Sequence, residues 1–155
     1  LDSSFIVWNR SPAVCQEMAT LFPKQIKIAS TPSEVVQSCD VTYTMLSTIE
    51  ASAAVFDAAD GVIAGVSPGK LIVDCATLSP ERMIVQEAAV KAKGGRFMEA
   101  PVSGSKGPAD TGTLIFLCGG DAADFHSQEA CFDAMGKAKY HFGDVGKVGL
   151  MHLCV

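Results

Sequence analysis

Short apolar runs alternate along the chain with stretches whose apolar positions recur at helical spacing. Residues 5–8, 25–28, 41–46, 70–74, 96–99, 113–118 and 138–142 read as strands. The helical patterns are bounded by cap chemistry. Ser11-Pro12 opens a helix over 12–21, Thr31-Pro32 opens one that runs to about 38, and Ser79-Pro80 opens one that runs to about 93. Residues 49–57 are helical by composition, and Gly119-Gly120-Asp121 turns into one helix ending near 135. A final helix starts at 146 and is unfinished at 155. Strands separated by helices of this length predict βαβ units and a mostly parallel sheet, hence an α/β fold. The Gly/Pro/Ser-rich stretch 101–112 is read as a long irregular loop, and such loops in compact domains are usually functional.

Composition narrows the class. The 155 residues are 48% hydrophobic and 19% charged, which excludes a disordered chain. No apolar run reaches the roughly 18 residues of a membrane helix, because Asp57, Asp60, Asp74 and Glu99 interrupt the richest stretches. The surplus apolarity therefore belongs to strands buried on both faces or to a surface meant to be covered. The net charge of -5 and the lack of a basic patch make nucleic acid an unexpected partner. The six cysteines form no Cys-x-x-Cys pair and sit mostly in apolar surroundings, as free thiols do in a reducing compartment. An intracellular site is expected: the cytoplasm first, with an organelle or the nucleus left open. His126 and His141 have no neighbours at metal-ligand spacing, and no metal is expected. No P-loop is present, and Ser103 lacks the context of a hydrolase nucleophile.

Two segments carry candidate chemistry. Where the first strand ends, Asn9, Arg10 and Ser11 follow at once. At the second strand of a dinucleotide-binding sheet, an acidic residue reads the free ribose 2′-OH of NAD, whereas an arginine accommodates the 2′-phosphate of NADP. A guanidinium beside two small polar groups suits a phosphate, although the same residues also suit a solvated helix cap. The first glycine is Gly61, so no Gly-x-Gly-x-x-Gly turn precedes Arg10. A sheet of this kind is expected to lack its first βα unit. The second segment is Glu99-Ala100-Pro101-Val102-Ser103-Gly104-Ser105-Lys106. Ser103 and Ser105 offer hydroxyls there, and Gly104 lets backbone approach an anion closely.

This second segment resembles the Asp-Ala-Pro-Val-Ser-Gly-Gly substrate loop of the β-hydroxyacid dehydrogenases, and Gly112-Thr113-Leu114 resembles the strand that follows it. Val7-Trp8-Asn9-Arg10-Ser11 is similar to that family's Val-Trp-Asn-Arg-Thr, Met45-Leu46-Ser47 to its Met-Leu-Ser/Pro, and Val73-Asp74-Cys75-Ala76-Thr77 to its Ile-Asp-Met-Ser-Thr. Phe142-Gly143-Asp144-Val145-Gly146 is similar to the segment before its long interdomain helix. The spelling Pro-Val-Ser-Gly-Ser-Lys is nearest to the plant-type glyoxylate/succinic semialdehyde reductases, with a chromatin-associated branch close behind. The resemblance implies a doubly wound Rossmann-type sheet over residues 1–145, without its first βα unit, and the start of the interdomain helix over 146–155. A C-terminal all-helical domain would then be missing. It further implies NADP(H) as cofactor. Asn9, Arg10 and Ser11 would hold the 2′-phosphate, and Met45, Leu46 and Thr77 would line the dinucleotide. Ser103, Gly104 and Ser105 would bind the carboxylate of a small aldehyde acid or hydroxy acid. A homo-oligomer is implied only where the helical domain is present, and no membrane partner is implied.

The chain departs from the family at one decisive place. In the pattern Gly-x-Gly-x-x-x-Lys-x-x-x-Asn, Gly146 and Val148 take the glycine slots and His152 takes the lysine slot of the proton donor. Three readings therefore stand: an oxidoreductase domain, a non-catalytic NADP-binding or assembly module, or an incomplete fragment of the active enzyme. Cys75, in the loop after 74, is a candidate partly exposed thiol.

Overall fold

The structure is a computed structural model, and it describes residues 4–152. The chain starts with β1 (Phe5–Val7), α1 (Pro12–Leu21), β2 (Ile26–Ile28) and α2 (Pro32–Ser38). It continues through β3 (Val41–Thr44), α3 (Ile49–Phe56), a short α4 (Val62–Gly65), β4 (Leu71–Asp74), α5 (Pro80–Ala92) and β5 (Arg96–Glu99). Then come β6 (Val102–Ser103), α6 (Lys106–Asp110), β7 (Leu114–Gly120), α7 (Ala122–Ser127), α8 (Glu129–Met135), β8 (Gly136–His141) and α9 (Lys147–His152).

The caps work largely as the sequence implies. Thr31 Oγ1 accepts the Glu34 N–H at 3.1 Å, and Ser79 Oγ accepts the Arg82 N–H at 3.4 Å. Ser11 stands at the N-cap of α1, but its side chain makes no cap bond. Three expectations are corrected. The strand from 41 stops at Thr44, which leaves Met45 and Leu46 in the loop beyond it. The helix expected up to 135 breaks at Gln128 into α7 and α8. Stretch 101–112 is not irregular throughout, since it contains β6 and α6.

Strands β3, β4 and β5 are parallel neighbours, and β8 runs parallel to β7. β5 and β6 both pair antiparallel with β7. They behave as one strand interrupted at Ala100-Pro101, where the Pro101 carbonyl still accepts the Leu117 N–H at 3.0 Å. β1 and β2 form a separate parallel pair. Peptide groups along a strand point alternately to its two edges. Thr44 C=O accepts Cys75 N–H on the β4 side, so the peptide groups of Tyr43 face the other edge. Phe5 N–H and Val7 C=O bond toward β2, so those of Ile6 also face away. Among the described residues no strand pairs with either of these edges. A doubly wound sheet places its first strand between them.

β4 is buried along its whole length, as a strand covered on both faces requires. On one face Ile72 and Phe97 pack with Val36, Phe56, Met83 and Val90. On the other, Leu71, Val73 and Met98 pack with Phe116, Phe125 and Phe132. Part of the surplus apolarity is exposed instead: Val14, Met18 and Leu21 form an uncovered stripe along α1. Among the described residues no helix is long and apolar enough to cross a membrane.

Phe116 is 1% exposed, and its ring lies 4.7 Å from that of Phe132. Phe116→Ala is expected to destabilise the chain by about 3–5 kcal/mol, read from the urea midpoint. A loss below about 1 kcal/mol would contradict this packing.

Candidate functional site

Two openings lie at the carboxyl ends of the strands, where open α/β sheets bind ligands. The first is a cleft of about 820 Å³ between the open edges of β1 and β3. Its walls include Trp8, Asn9 and Arg10 from the end of β1 and Thr44 to Thr48 from the end of β3. The turn after β1 is held locally, because Asn9 Oδ1 accepts the Ser11 N–H at 2.8 Å. Arg10 is exposed, and no carboxylate of the described residues pairs with it. A guanidinium on a rigid turn at the rim of a large cleft fits a phosphate. Thr48 caps α3 through the Ala51 N–H at 3.1 Å.

The second opening is a mostly apolar cavity of about 490 Å³. Met45 belongs to its wall as well, beside Tyr43, Cys75, Gly104, Ser105 and Lys106. Gly104 has φ +133°, a conformation that favours glycine, and a Cβ there would stand 3.0 Å from Pro108. Ser105 occupies the N-cap position of α6 without using its hydroxyl as a cap, so that group is left for a ligand.

The structure thus gathers Asn9, Arg10, Met45 and Leu46 around the cleft, and Met45, Gly104 and Ser105 around the cavity. Ser11, Thr77 and Ser103 are exposed but belong to neither wall. The backbone of His152 ends α9, and its side chain lies outside the described residues. Cys75 corrects an expectation: it is only 8% exposed, and burial pushes its thiol well above the ordinary range. Its setting is therefore the opposite of the exposed, thiolate-favouring surroundings of a reactive cysteine. Cys118 is pushed up to about 12 by the same cause. Lys106 was missed in the sequence, although a cation next to a Gly-Ser loop is a legible signal for an anionic ligand.

Two buried carboxylates organise the loops of this edge. Asp74 and Glu99 end β4 and β5 in register and are 0% and 1% exposed. Asp74 Oδ1 accepts the Ala76 N–H at 3.0 Å, which shapes the loop bearing Thr77, and Oδ2 accepts from Gln86 Nε2 at 3.1 Å. Gln86 and Arg82 both donate to Ser52 Oγ, and Arg82 also forks onto Asp57. Glu99 Oε1 accepts the Gly146 N–H at 2.7 Å. Burial pushes both carboxyls above their ordinary range, against the pull of these donors.

The fold and the cleft define a Rossmann-type dinucleotide-binding domain. The chain belongs to the family described as the NAD binding domain of 6-phosphogluconate dehydrogenase, which matches residues 2–146. It is 40% identical over 149 residues to glyoxylate/succinic semialdehyde reductase 2, chloroplastic, of Arabidopsis thaliana, covering 96% of this chain and 41% of the reductase. It is 35% identical over 150 residues to the cytokine-like nuclear factor N-PAC of Homo sapiens, covering 96% of this chain and 26% of that protein. Among solved structures it superposes on Mycobacterium tuberculosis 3-hydroxyisobutyrate dehydrogenase with a TM-score of 0.82 at 26% identity. That match covers 94% of this chain and 48% of the other. The chain therefore spans half or less of the length of these relatives.

The raised carboxyls set a pH dependence. A carboxyl whose folded pKa is raised contributes stability that is complete below its unfolded value and is lost as pH rises through the folded value. Glu50, Glu81 and Asp144 are lowered, by hydrogen bonds within their own turns and, for Asp144, by Lys147. Their contribution is present above the unfolded value and is lost as pH falls through the folded one. Unfolding free energy from urea titrations is expected to rise as pH falls from neutrality toward the ordinary carboxylate range, and to fall again as pH drops below that range. Asp74→Asn is expected to flatten the rise; an unchanged slope in that variant would assign it elsewhere.

Proposed function

We propose that this chain is the NADP(H)-binding domain of an oxidoreductase that reduces a small aldehyde acid, glyoxylate or succinic semialdehyde, to the hydroxy acid. The observation that carries this reading is the single cleft that joins the Asn9-Arg10 turn to the Met45-Leu46 loop. Asn9, Arg10 and Ser11 would hold the 2′-phosphate, and Met45, Leu46 and Thr77 would line the dinucleotide. When bound, NADPH supplies the hydride. Ser103, Gly104 and Ser105 would hold the substrate carboxylate, with the Lys106 ammonium adding charge complementarity. His152 stands in the proton-donor slot, where an imidazole of reference pKa about 6.5 would donate to a carbonyl oxygen. Residues 1–145 would form the cofactor domain, and 146–155 the start of a helix toward a second, helical domain through which a longer protein would oligomerise. The free thiols support a reducing compartment, and the cytoplasm is the proposed site.

A second reading is favoured by His152 itself. A domain with histidine in place of lysine would keep the fold as a non-catalytic binding or assembly module, and the similarity to a protein named as a nuclear factor supports it. The reading of the chain as an incomplete fragment of an active enzyme is compatible with its share of the relatives' length.

Fluorescence titration of the purified chain tests the cofactor site. Saturable NADPH binding is expected, with NADH much weaker. Arg10→Ala is expected to weaken NADPH by roughly 10- to 100-fold, the loss of a charged hydrogen-bond partner, and to leave NADH unchanged. Equal affinities for the two dinucleotides would remove the assigned role of Arg10. No binding of either would mean that this chain has no self-sufficient site.

A further inference from the structure

Glu99 does more than end a strand. It is buried at the root of loop 101–105, and its Oε1 lies 2.7 Å from the Gly146 nitrogen and 3.4 Å from the Val148 nitrogen, 47 and 49 residues away. These two N–H groups belong to the first turn of α9 and the residue before it. Gly146 turns its N–H inward with φ +92°, in the region that favours glycine. Room for the carboxylate is made by Gly119 of β7, where a Cβ would stand 2.6 Å from Oε1. The ionisable groups that face it are Asp74 on β4, Glu87 on α5 and Cys118 on β7, and all of these are acidic. Among the described side chains of α9 the one cation, Lys147, is drawn to Asp144 at 2.7 Å. Backbone N–H groups are therefore what compensates the buried charge.

We propose that Glu99 is the positioning residue of α9: its carboxylate fastens the first turn of that helix to the carboxyl end of β5, and so sets where position 152 stands relative to the 103–105 loop. One side chain then joins the root of the candidate substrate loop to the helix that bears the candidate proton donor. The consequence for catalysis rests on the oxidoreductase reading; the fastening itself does not. Burial raises the Glu99 carboxyl, so the fastening should loosen as pH falls through a value above the ordinary carboxylate range.

Amide NMR on the full 155-residue chain, without cofactor, tests this. The Gly146 and Val148 resonances are expected to titrate with one common midpoint above the ordinary glutamate value, and Glu99→Gln is expected to abolish that titration. Glu99→Asp shortens the reach by one methylene. It is expected to lower hydrogen-exchange protection at Gly146 and Val148 by roughly 10- to 100-fold, with Ala100, whose N–H bonds to Asp74 C=O at 2.7 Å, little changed. Glu99→Gln, which keeps an acceptor oxygen, should recover part of that protection. Resonances at 146 and 148 that ignore pH in the wild-type chain would overturn the proposal, whether or not either variant folds. So would equal losses of protection at 100 and 146. None of these readouts requires NADPH, so a failed cofactor titration and a failed Glu99 test are distinguishable.

Discussion

Two carboxylates side by side in a protein interior repel each other, and each loses hydration on burial. Asp74 and Glu99 are held in that situation by the register of β4 against β5. What makes it tolerable is the supply of backbone N–H groups from beyond the strands: Ala76 for one, Gly146 and Val148 for the other. The loops that carry the candidate chemistry are therefore not free connections. Their backbone is the solvation shell of a buried charge, and their shapes follow from that need. Arg82 and Gln86 extend the network of Asp74 along α5 to Ser52 and Asp57, which ties the far face of the sheet to that carboxylate.

β3 is the element around which the two openings are arranged. Its open edge forms one wall of the cleft, and Tyr43, Thr44 and Met45 also belong to the cavity. The cofactor reading and the substrate reading thus meet at one strand end, as they must if hydride is to pass between two bound molecules. Tyr43 is further fixed from behind, since its hydroxyl donates to Gln128 Oε1 at 2.9 Å. The break between α7 and α8 falls at that same Gln128.

What the sequence revealed follows from the range of the interactions involved. Proline after a capping Ser or Thr marks a helix start within four residues, so α1, α2 and α5 were placed from local chemistry alone. The Asn-Arg-Ser turn and the Gly-Ser loop were legible because their residue types suit anions wherever they stand. Glu99 was not legible as an anchor, because its partner lies 47 residues away and nothing local distinguishes it from any acid at a strand end. The break at Gln128 was missed because glutamine is no breaker; long-range contact with Tyr43 accompanies it. Helix α6 was hidden by Gly107 and Pro108, which read as loop residues even though Pro108 stands in the first turn, where the ring is tolerated. Cys75 was misread because burial depends on what folds over a residue, not on its neighbours in the chain.

The open edges of β1 and β3 carry a consequence for how such a chain behaves in solution. A row of unpaired peptide groups does not discriminate by sequence among the extended segments that reach it. Among the described residues the peptide groups of Tyr43 and Ile6 on these edges have no strand partner, and Val14, Met18 and Leu21 expose an apolar stripe on the same chain. At high concentration that combination favours strand exchange and clumping between copies. A segment that filled the gap would act as an internal chaperone for the domain, suppressing self-association by the same hydrogen bonds that complete the sheet.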